Sequence, residues 1–213
     1  MRVRAHALAI LSLILLPLPL GAETLWVGRF SAGDLQGWEA KVFNRPTDYR
    51  IVELGDRRVL QATCENAASA LYRRLRVDLV RTPMLRWSWR VEGAYRGLDE
   101  TRKQGDDYLA RLYVVIDGGA LLWRTRALNY VWASGRPVGS AWPNAYTGQA
   151  MMLALRSGPD AQWREELRDL RRDFREQFGI EARQIDGVAL MTDCDDSAGR
   201  GRAWYGDIRF TSE

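Results

Sequence analysis

Carboxylates and aromatic rings make up the reactive inventory of this chain, because its one histidine, His6, falls in a segment expected to be removed. A Ser-His-Asp triad, a histidine zinc site and an imidazole pH switch therefore have no residue to use. Asp99-Glu100 and Asp106-Asp107 flank Lys103, just ahead of Tyr108. A protonated carboxyl beside an ionised one can serve as general acid and base on a glycosidic bond. That makes Glu100, Asp106 and Asp107 the candidate catalytic residues, with Arg and Tyr available to assist a β-elimination. The competing reading is a solvated loop whose acids form turns and ion pairs.

The aromatic load is high, with nine Trp and eight Tyr. Trp123, Tyr130, Trp132, Trp142 and Tyr146 cluster, interleaved with Arg124, Arg126, Asn129, Arg136 and Asn144. Sugar rings present flat C–H faces to aromatic planes, and their hydroxyls need amide, carboxylate and guanidinium partners. The candidate ligand-binding set is therefore Trp123, Arg124, Asn129, Trp132, Trp142, Asn144 and Tyr146, with Asp106 as a further hydrogen-bonding group. Trp142-Pro143-Asn144 has the chemistry of an exposed turn. Trp87 and Trp89 read instead as core.

A third constellation is the acidic turn Asp193-Cys194-Asp195-Asp196-Ser197. Alternate oxygens at Asp193, Asp195 and Ser197 match the opening of a calcium loop, so a structural Ca²⁺ is one reading and a polar hairpin turn the other. It is not an EF-hand, since Trp204 stands where the closing glutamate belongs. No other cofactor is implied: phosphate loop, dinucleotide fingerprint and GxSxG are absent from the sequence. Cys64 and Cys194 either pair or stand as two thiols. If paired, they would close a loop worth roughly 5 kcal/mol in the chain-entropy model.

Strand-period alternation dominates the elements that must carry these groups. Leu85, Trp87, Trp89 and Val91 share one face of their segment, while Arg86, Ser88 and Arg90 share the other. Similar short runs recur between Gly, Pro, Asn and Asp punctuation, the pattern of a sandwich or barrel. One segment differs: Trp163, Leu167, Leu170, Phe174 and Phe178 step by four and three, predicting a helix over 163–178 with Asp160 as N-cap and Gly179 as stop. The expected fold is all-β in the main, a β-sandwich of jelly-roll type with one helix in the C-terminal half.

Residues 1–22 have the parts of a secretory signal peptide: Arg2 and Arg4, an apolar run over 7–16, and Gly21-Ala22 before the cut. The run is too short to span a bilayer, although an uncleaved anchor is the competing reading. Residues 23–213 form one domain, periplasmic or secreted, with no transmembrane segment after removal. Losing Arg2 and Arg4 leaves 29 basic against 27 acidic residues, a balance of +2. The basic residues are interspersed with acids, so nucleic acid is not an expected partner.

Several strings resemble an exported bacterial family known as domain of unknown function 3047. They are 87–91 (WSWRV), 105–108 (GDDY), 123–132 (WRTRALNYVW), 142–146 (WPNAY), 186–193 (DGVALMTD) and 204–208 (WYGDI). The resemblance covers most of the chain after residue 22 and implies a signal peptide and one compact β-rich domain, without an established activity. Where the family pattern has Thr and Asn near 194 and 196, this chain has Cys194 and Asp196, which would make a disulfide its own feature. The close of the chain, Gly206-Asp207-Ile208 with Phe210, also resembles the last strands of jelly-roll carbohydrate-binding modules. The leading reading is a non-catalytic glycan-binding domain of the cell envelope, its partner an envelope or environmental glycan. A structural or protein-interaction module of the envelope comes next, and a polysaccharide hydrolase or lyase third.

Overall fold

The computed structural model describes residues 23–197 and 199–213; the expected signal peptide lies outside them. In chain order the strands are β1 (Thr24–Gly28), β2 (Glu39–Val42), β3 (Asp48–Leu54), β4 (Arg57–Glu65), β5 (Ser69–Asp78), β6 (Met84–Glu92), β7 (Arg111–Ile116), β8 (Arg126–Ala133), β9 (Ala141–Asn144), β10 (Thr147–Ser157), β11 (Arg164–Asp169), β12 (Gln184–Met191), β13 (Arg200–Tyr205) and β14 (Ile208–Thr211), with helix α1 (Leu170–Phe178). One sheet is ordered β1-β14-β6-β13-β4-β3, with β11 on β6; the other is ordered β2-β5-β12-β7-β8-β10-β9. Consecutive strands β4, β5, β6 and β7 alternate between the sheets. Later strands return beside them, β13 on β4 and β6, β12 on β5 and β7. This is the jelly-roll winding of a β-sandwich. β8 and β10 run parallel; the other strand pairs are antiparallel.

Alternation decides which side chains fill the space between the sheets. Leu85, Trp87, Trp89 and Val91 of β6 are all buried and face Leu112 and Val114 of β7 and Leu128, Tyr130 and Trp132 of β8 across one core. Trp87 stacks within 5.3 Å of Tyr130, and Trp89 meets Trp132 edge-on at 6.0 Å. The indole N–H of Trp89 donates to Glu166, which also accepts a two-pronged contact from Arg156.

The helix is shorter than expected, and its first half is strand. Residues 164–169 pair antiparallel with β6, from Arg164 opposite Trp89 to Asp169 opposite Met84. This strand turns polar Glu166 and Arg168 to buried partners and leaves Leu167 exposed, so its hydrophobic pattern misrepresents its period. Asp160 caps no helix; its carboxylate accepts from the backbone N–H of Gln162 and from Arg164. The N-cap is Asp169, accepting from the N–H groups of Arg171 and Arg172. Gly179 ends the helix at φ 66°, a left-handed conformation that glycine adopts without strain. Leu170 and Phe174 seal one end of the core. Buried Asp173 receives the Tyr130 hydroxyl at 2.6 Å and a fork from Arg168.

Cys64 and Cys194 are bonded, joining β4 of one sheet to the turn that follows β12 of the other. The bridge closes a loop of 130 residues. Replacing both cysteines with alanine should lower stability by up to about 5 kcal/mol, the chain-entropy value for a loop of this length. Urea denaturation of oxidised, reduced and Cys64→Ala/Cys194→Ala protein measures this. Equal midpoints for all three would deny the bridge a structural role.

Candidate functional site

Residues on the outer face of the second sheet are set by the same alternation that fills the core. Leu112, Leu128 and Tyr130 point inward, so Arg111 and Tyr113 of β7 and Asn129 and Val131 of β8 point outward, side by side. Toward one end, Tyr108, Trp142, Val131 and Met152 build a small apolar cluster over this face. Beside it lies a groove of about 520 Å³, floored by Tyr113, Asn129, Ala150 and Met191. Exposed Phe43, just past edge strand β2, and Tyr146, between edge strand β9 and β10, stand at its two sides.

A buried ion pair organises the groove. Arg111 is 3% exposed, and its Nη2 donates to Asp193 Oδ2 at 2.8 Å and to the backbone oxygen of Asp106 at 2.7 Å. Its Nη1 donates to the Tyr113 hydroxyl at 2.7 Å and lies 3.5 Å from the Asp106 carboxylate. The guanidinium sits over the Tyr108 ring, 4.3 Å from its centroid. Burial pushes the Asp193 carboxyl up; the pull of Arg111 opposes this, and neighbouring Asp107 and Asp106 add to it. Desolvation acts to discharge Arg111, but Asp193, Tyr113, Asp106 and Tyr108 together outweigh it and keep the guanidinium protonated. Asp106 also receives both hydrogen bonds of the Asn144 amide, at 3.1 and 3.2 Å.

The three expected catalytic carboxylates serve separate partners. Asp106 belongs to the Arg111 network. Asp107 is fully buried and accepts the backbone N–H groups of Asp196 and Ser197, at 3.3 and 2.6 Å. Glu100 is 1% exposed and accepts the N–H of Ser134 at 2.7 Å, leaving Oε2 without a partner. Burial raises its pKa, against the lowering effect of that N–H.

The expected sugar-stacking residues separate as sharply. Trp132 and Trp142 are core and subsurface side chains, 2% and 4% exposed. Trp142 does not sit in a turn: it is in β9, its indole N–H donating to the Glu100 carbonyl and Arg136 covering its ring. Neither indole presents a free face. Trp123 and Arg124 lie exposed on a short 3₁₀ turn at 122–124, away from the groove. Asn129, Asn144 and Tyr146 do line it, as does Asp106. Phe43, Arg111, Tyr113 and Met191 were not read as site residues. The alternation Arg111-Leu112-Tyr113 was the signal available for two of them.

The acidic turn is arranged differently from the expected calcium set. Asp193 turns in to Arg111, and Ser197 contributes a backbone N–H to Asp107. The oxygens that converge, all within 4.8 Å of one another, belong to Asp107, Asp195 and Asp196. Burial first, and then the hydrogen bond that the Tyr146 hydroxyl donates to Asp196 at 3.1 Å, push the phenol up to about 12. Asp196 is itself raised, by desolvation first and by its acidic neighbours.

Fold and groove together define a jelly-roll sandwich protein with a groove of mixed polar and apolar lining on one sheet. The chain belongs to the DUF3047 family, described as a protein of unknown function, whose profile matches residues 36–209. No curated protein sequence matches it. Among solved structures, it is similar to the family 11 carbohydrate-binding module of the cellulosomal cellulase Lic26A-Cel5E of Clostridium thermocellum, with TM-score 0.48 and 8% identity over 89% of this chain and 94% of that one. It is similar also to the family 30 module of Clostridium thermocellum Cel9D-Cel44B, with TM-score 0.44 and 11% identity over 90% and 91%. Endoglucanase 3 of Trichoderma harzianum, from family GH12, has TM-score 0.42 and 8% identity over 90% and 99%. These are distant likenesses of fold, shared by binders and a hydrolase alike.

Removing the charge at Asp193 leaves Arg111 buried with a carboxylate no nearer than 3.5 Å. Asp193→Asn should cost about 3–5 kcal/mol, measurable by urea denaturation; a loss below about 1 kcal/mol would mean that the pair is structurally dispensable. Glu100 gives a signed pH effect. A carboxyl whose pKa is raised on folding holds its proton more tightly in the folded state, so its contribution turns against folding as pH rises past the ordinary carboxylate range. Glu100→Gln should therefore gain stability relative to the parent as pH rises from about 4 upward. A difference constant across that range would contradict the assignment.

Proposed function

We propose that this chain is an exported, non-catalytic glycan-binding domain whose ligand lies in the groove over β12, β7, β8 and β10. The observation that carries this reading is the pairing of Phe43 and Tyr146, 58% and 56% exposed, at opposite edges of a groove that mixes apolar surface with amide, phenol and carboxylate groups. Exposed rings facing a groove offer a sugar its C–H stacking partners, and the floor offers its hydroxyls hydrogen bonds. The carboxylates at hand are each held by internal partners, which suits recognition better than proton transfer. The signal-peptide pattern of residues 1–22 and the Cys64–Cys194 bond support an oxidising compartment outside the cytoplasm, periplasmic or extracellular. Among the described residues, no helix is long and apolar enough to cross a membrane.

A second reading has its own observation. Leu122 and Trp123 stand adjacent and exposed, 71% and 63%, at the tip of the β7–β8 connection. A partner protein in the envelope could use them as an anchor.

One assay separates these readings. Residues 23–213 are incubated with a panel of envelope and plant polysaccharides, with and without Ca²⁺, and scored for retention and for released reducing or unsaturated ends. Glycan binding predicts retention without products. Phe43→Ala and Tyr146→Ala should each weaken retention about tenfold, equivalent to about 1.4 kcal/mol, at an unchanged melting temperature. Released ends would make the protein an enzyme. No retention anywhere, together with an envelope protein captured by the parent and lost by Trp123→Ala, would establish the interaction reading instead.

A further inference from the structure

The groove's charge and its unpaired polar atoms say more about the ligand than its shape does. Four carboxylates line it, Asp106, Asp193, Asp195 and Asp196, against one cation, Arg111. The charge of Arg111 is matched by Asp193 and Asp106. Asp195 and Asp196, with Asp107 beside them, have no Lys or Arg within 4.0 Å among the described residues. Lys41 and Lys103 lie nearby, but over the rings of Phe43 and Tyr146, at 5.2 and 4.9 Å. Both walls thus already hold an ammonium group against an aromatic face.

A second, independent feature points the same way. Asn129 is 1% exposed and lines the floor. Its Nδ2 reaches the backbone oxygen of Met151 at 3.5 Å, while its Oδ1 has no partner. A buried acceptor left unpaired costs folding free energy, which a ligand N–H or O–H would recover. Most of the site's side-chain donors are engaged: the Asn144 amide on Asp106, the Tyr146 hydroxyl on Asp196, and both terminal nitrogens of Arg111 on Tyr113, Asp106 and Asp193, while the Thr147 hydroxyl at the rim only accepts, from the N–H of Gln149. The Nε of Arg111 is unpaired but is buried with the guanidinium over Tyr108. Beside its apolar surface at Phe43, Ala68, Ala150 and Met191, the polar side of the groove presents a visitor chiefly with acceptor oxygen and negative charge.

We infer that the ligand is a saccharide carrying free, protonated amino groups, and that uronate-bearing polysaccharides are excluded; this rests on the glycan-binding reading of the same groove. An ammonium on a sugar ring meets Asp195 and Asp196, and its neighbouring hydroxyls reach the floor at Asn129. A sugar carboxylate in that position would face like charge with no free guanidinium to receive it.

Calorimetric titration of residues 23–213, disulfide intact, with three hexasaccharides tests this at mildly acidic pH: a glucosamine hexamer, its fully N-acetylated form and a galacturonate hexamer. The glucosamine hexamer should bind at least about tenfold more tightly than the acetylated one, and the advantage should shrink as salt is raised. Galacturonate should not bind. Asp195→Asn/Asp196→Asn should erase the preference for the glucosamine hexamer over the acetylated one. Asn129→Leu should weaken the glucosamine hexamer while leaving the melting temperature unchanged or raised, the mark of a polar atom kept for a ligand. Equal or tighter binding of the acetylated or galacturonate hexamer overturns the amine inference and leaves glycan binding standing. Silence from all three, and from neutral glucans run alongside, overturns both.

Discussion

The buried contact between Arg111 and Asp193 fixes the geometry of everything on the outer face of the second sheet. Arg111 is anchored on β7, Asp193 follows β12, and Asp106 arrives from the loop before β7. One guanidinium therefore sets the positions of three segments distant in sequence. Tyr108 and Tyr113 enclose it, and the backbone N–H of Tyr108 completes the hydrogen bonding of Asp193 at 3.1 Å. An ion pair this deeply buried gives no assured net stability, because desolvating two charges is costly. Its contribution is positional: a misplaced loop would leave a charge buried without a partner.

The disulfide holds the same turn from the other side. Cys194 directly follows Asp193, and Cys64 reaches it from the opposite sheet. Tyr95 adds a hydroxyl to the Asp193 carbonyl at 2.8 Å. The turn that carries Asp195 and Asp196 is thus fixed at its base by a covalent bond and an ion pair, while its tip remains at the groove. That combination of a rigid base and reachable oxygens is what preorganised recognition requires.

Much of the fold was legible in the sequence because its strands obey a period of two. β6 gave its core face residue by residue, and Trp87 and Trp89 were recognisable as interior. The misreading fell on β11, where Glu166 and Arg168 turn inward to Trp89, Arg156 and Asp173 while Leu167 faces solvent. Buried polar pairing inverts the hydrophobic pattern, and a helix period fits what is left. The site was less legible for a related reason. Trp132 and Trp142 carry the chemistry of a sugar platform, but side-chain type does not reveal which face of a strand a second layer will cover. The apolar patch of Tyr108, Val131 and Met152 that covers Trp142 comes from three separate segments. Asn129, Asn144 and Tyr146 do line the groove, but Asn129 does so as a buried residue in the middle of β8, a placement its side-chain type does not reveal.

The pairing of β1 with β14 sets the order in which the chain can become a domain. Thr24 lies opposite Thr211, and β4, β5 and β6 likewise wait for partners beyond residue 183. Such nested, long-range pairings leave β1 without its ladder, and β4, β5 and β6 with only part of theirs, until the last strands have been made. A chain emerging amino end first can pair β3 with β4, β2 with β5, β7 with β8 and β8 with β10, but neither sheet is complete along the way. The edges of β4, β5 and β6 that await these partners persist until β12, β13 and β14 arrive. Any passage that needs an extended polypeptide is favoured by that delay, and premature release of a chain lacking its last thirty or so residues would yield unpaired strands rather than a smaller sandwich.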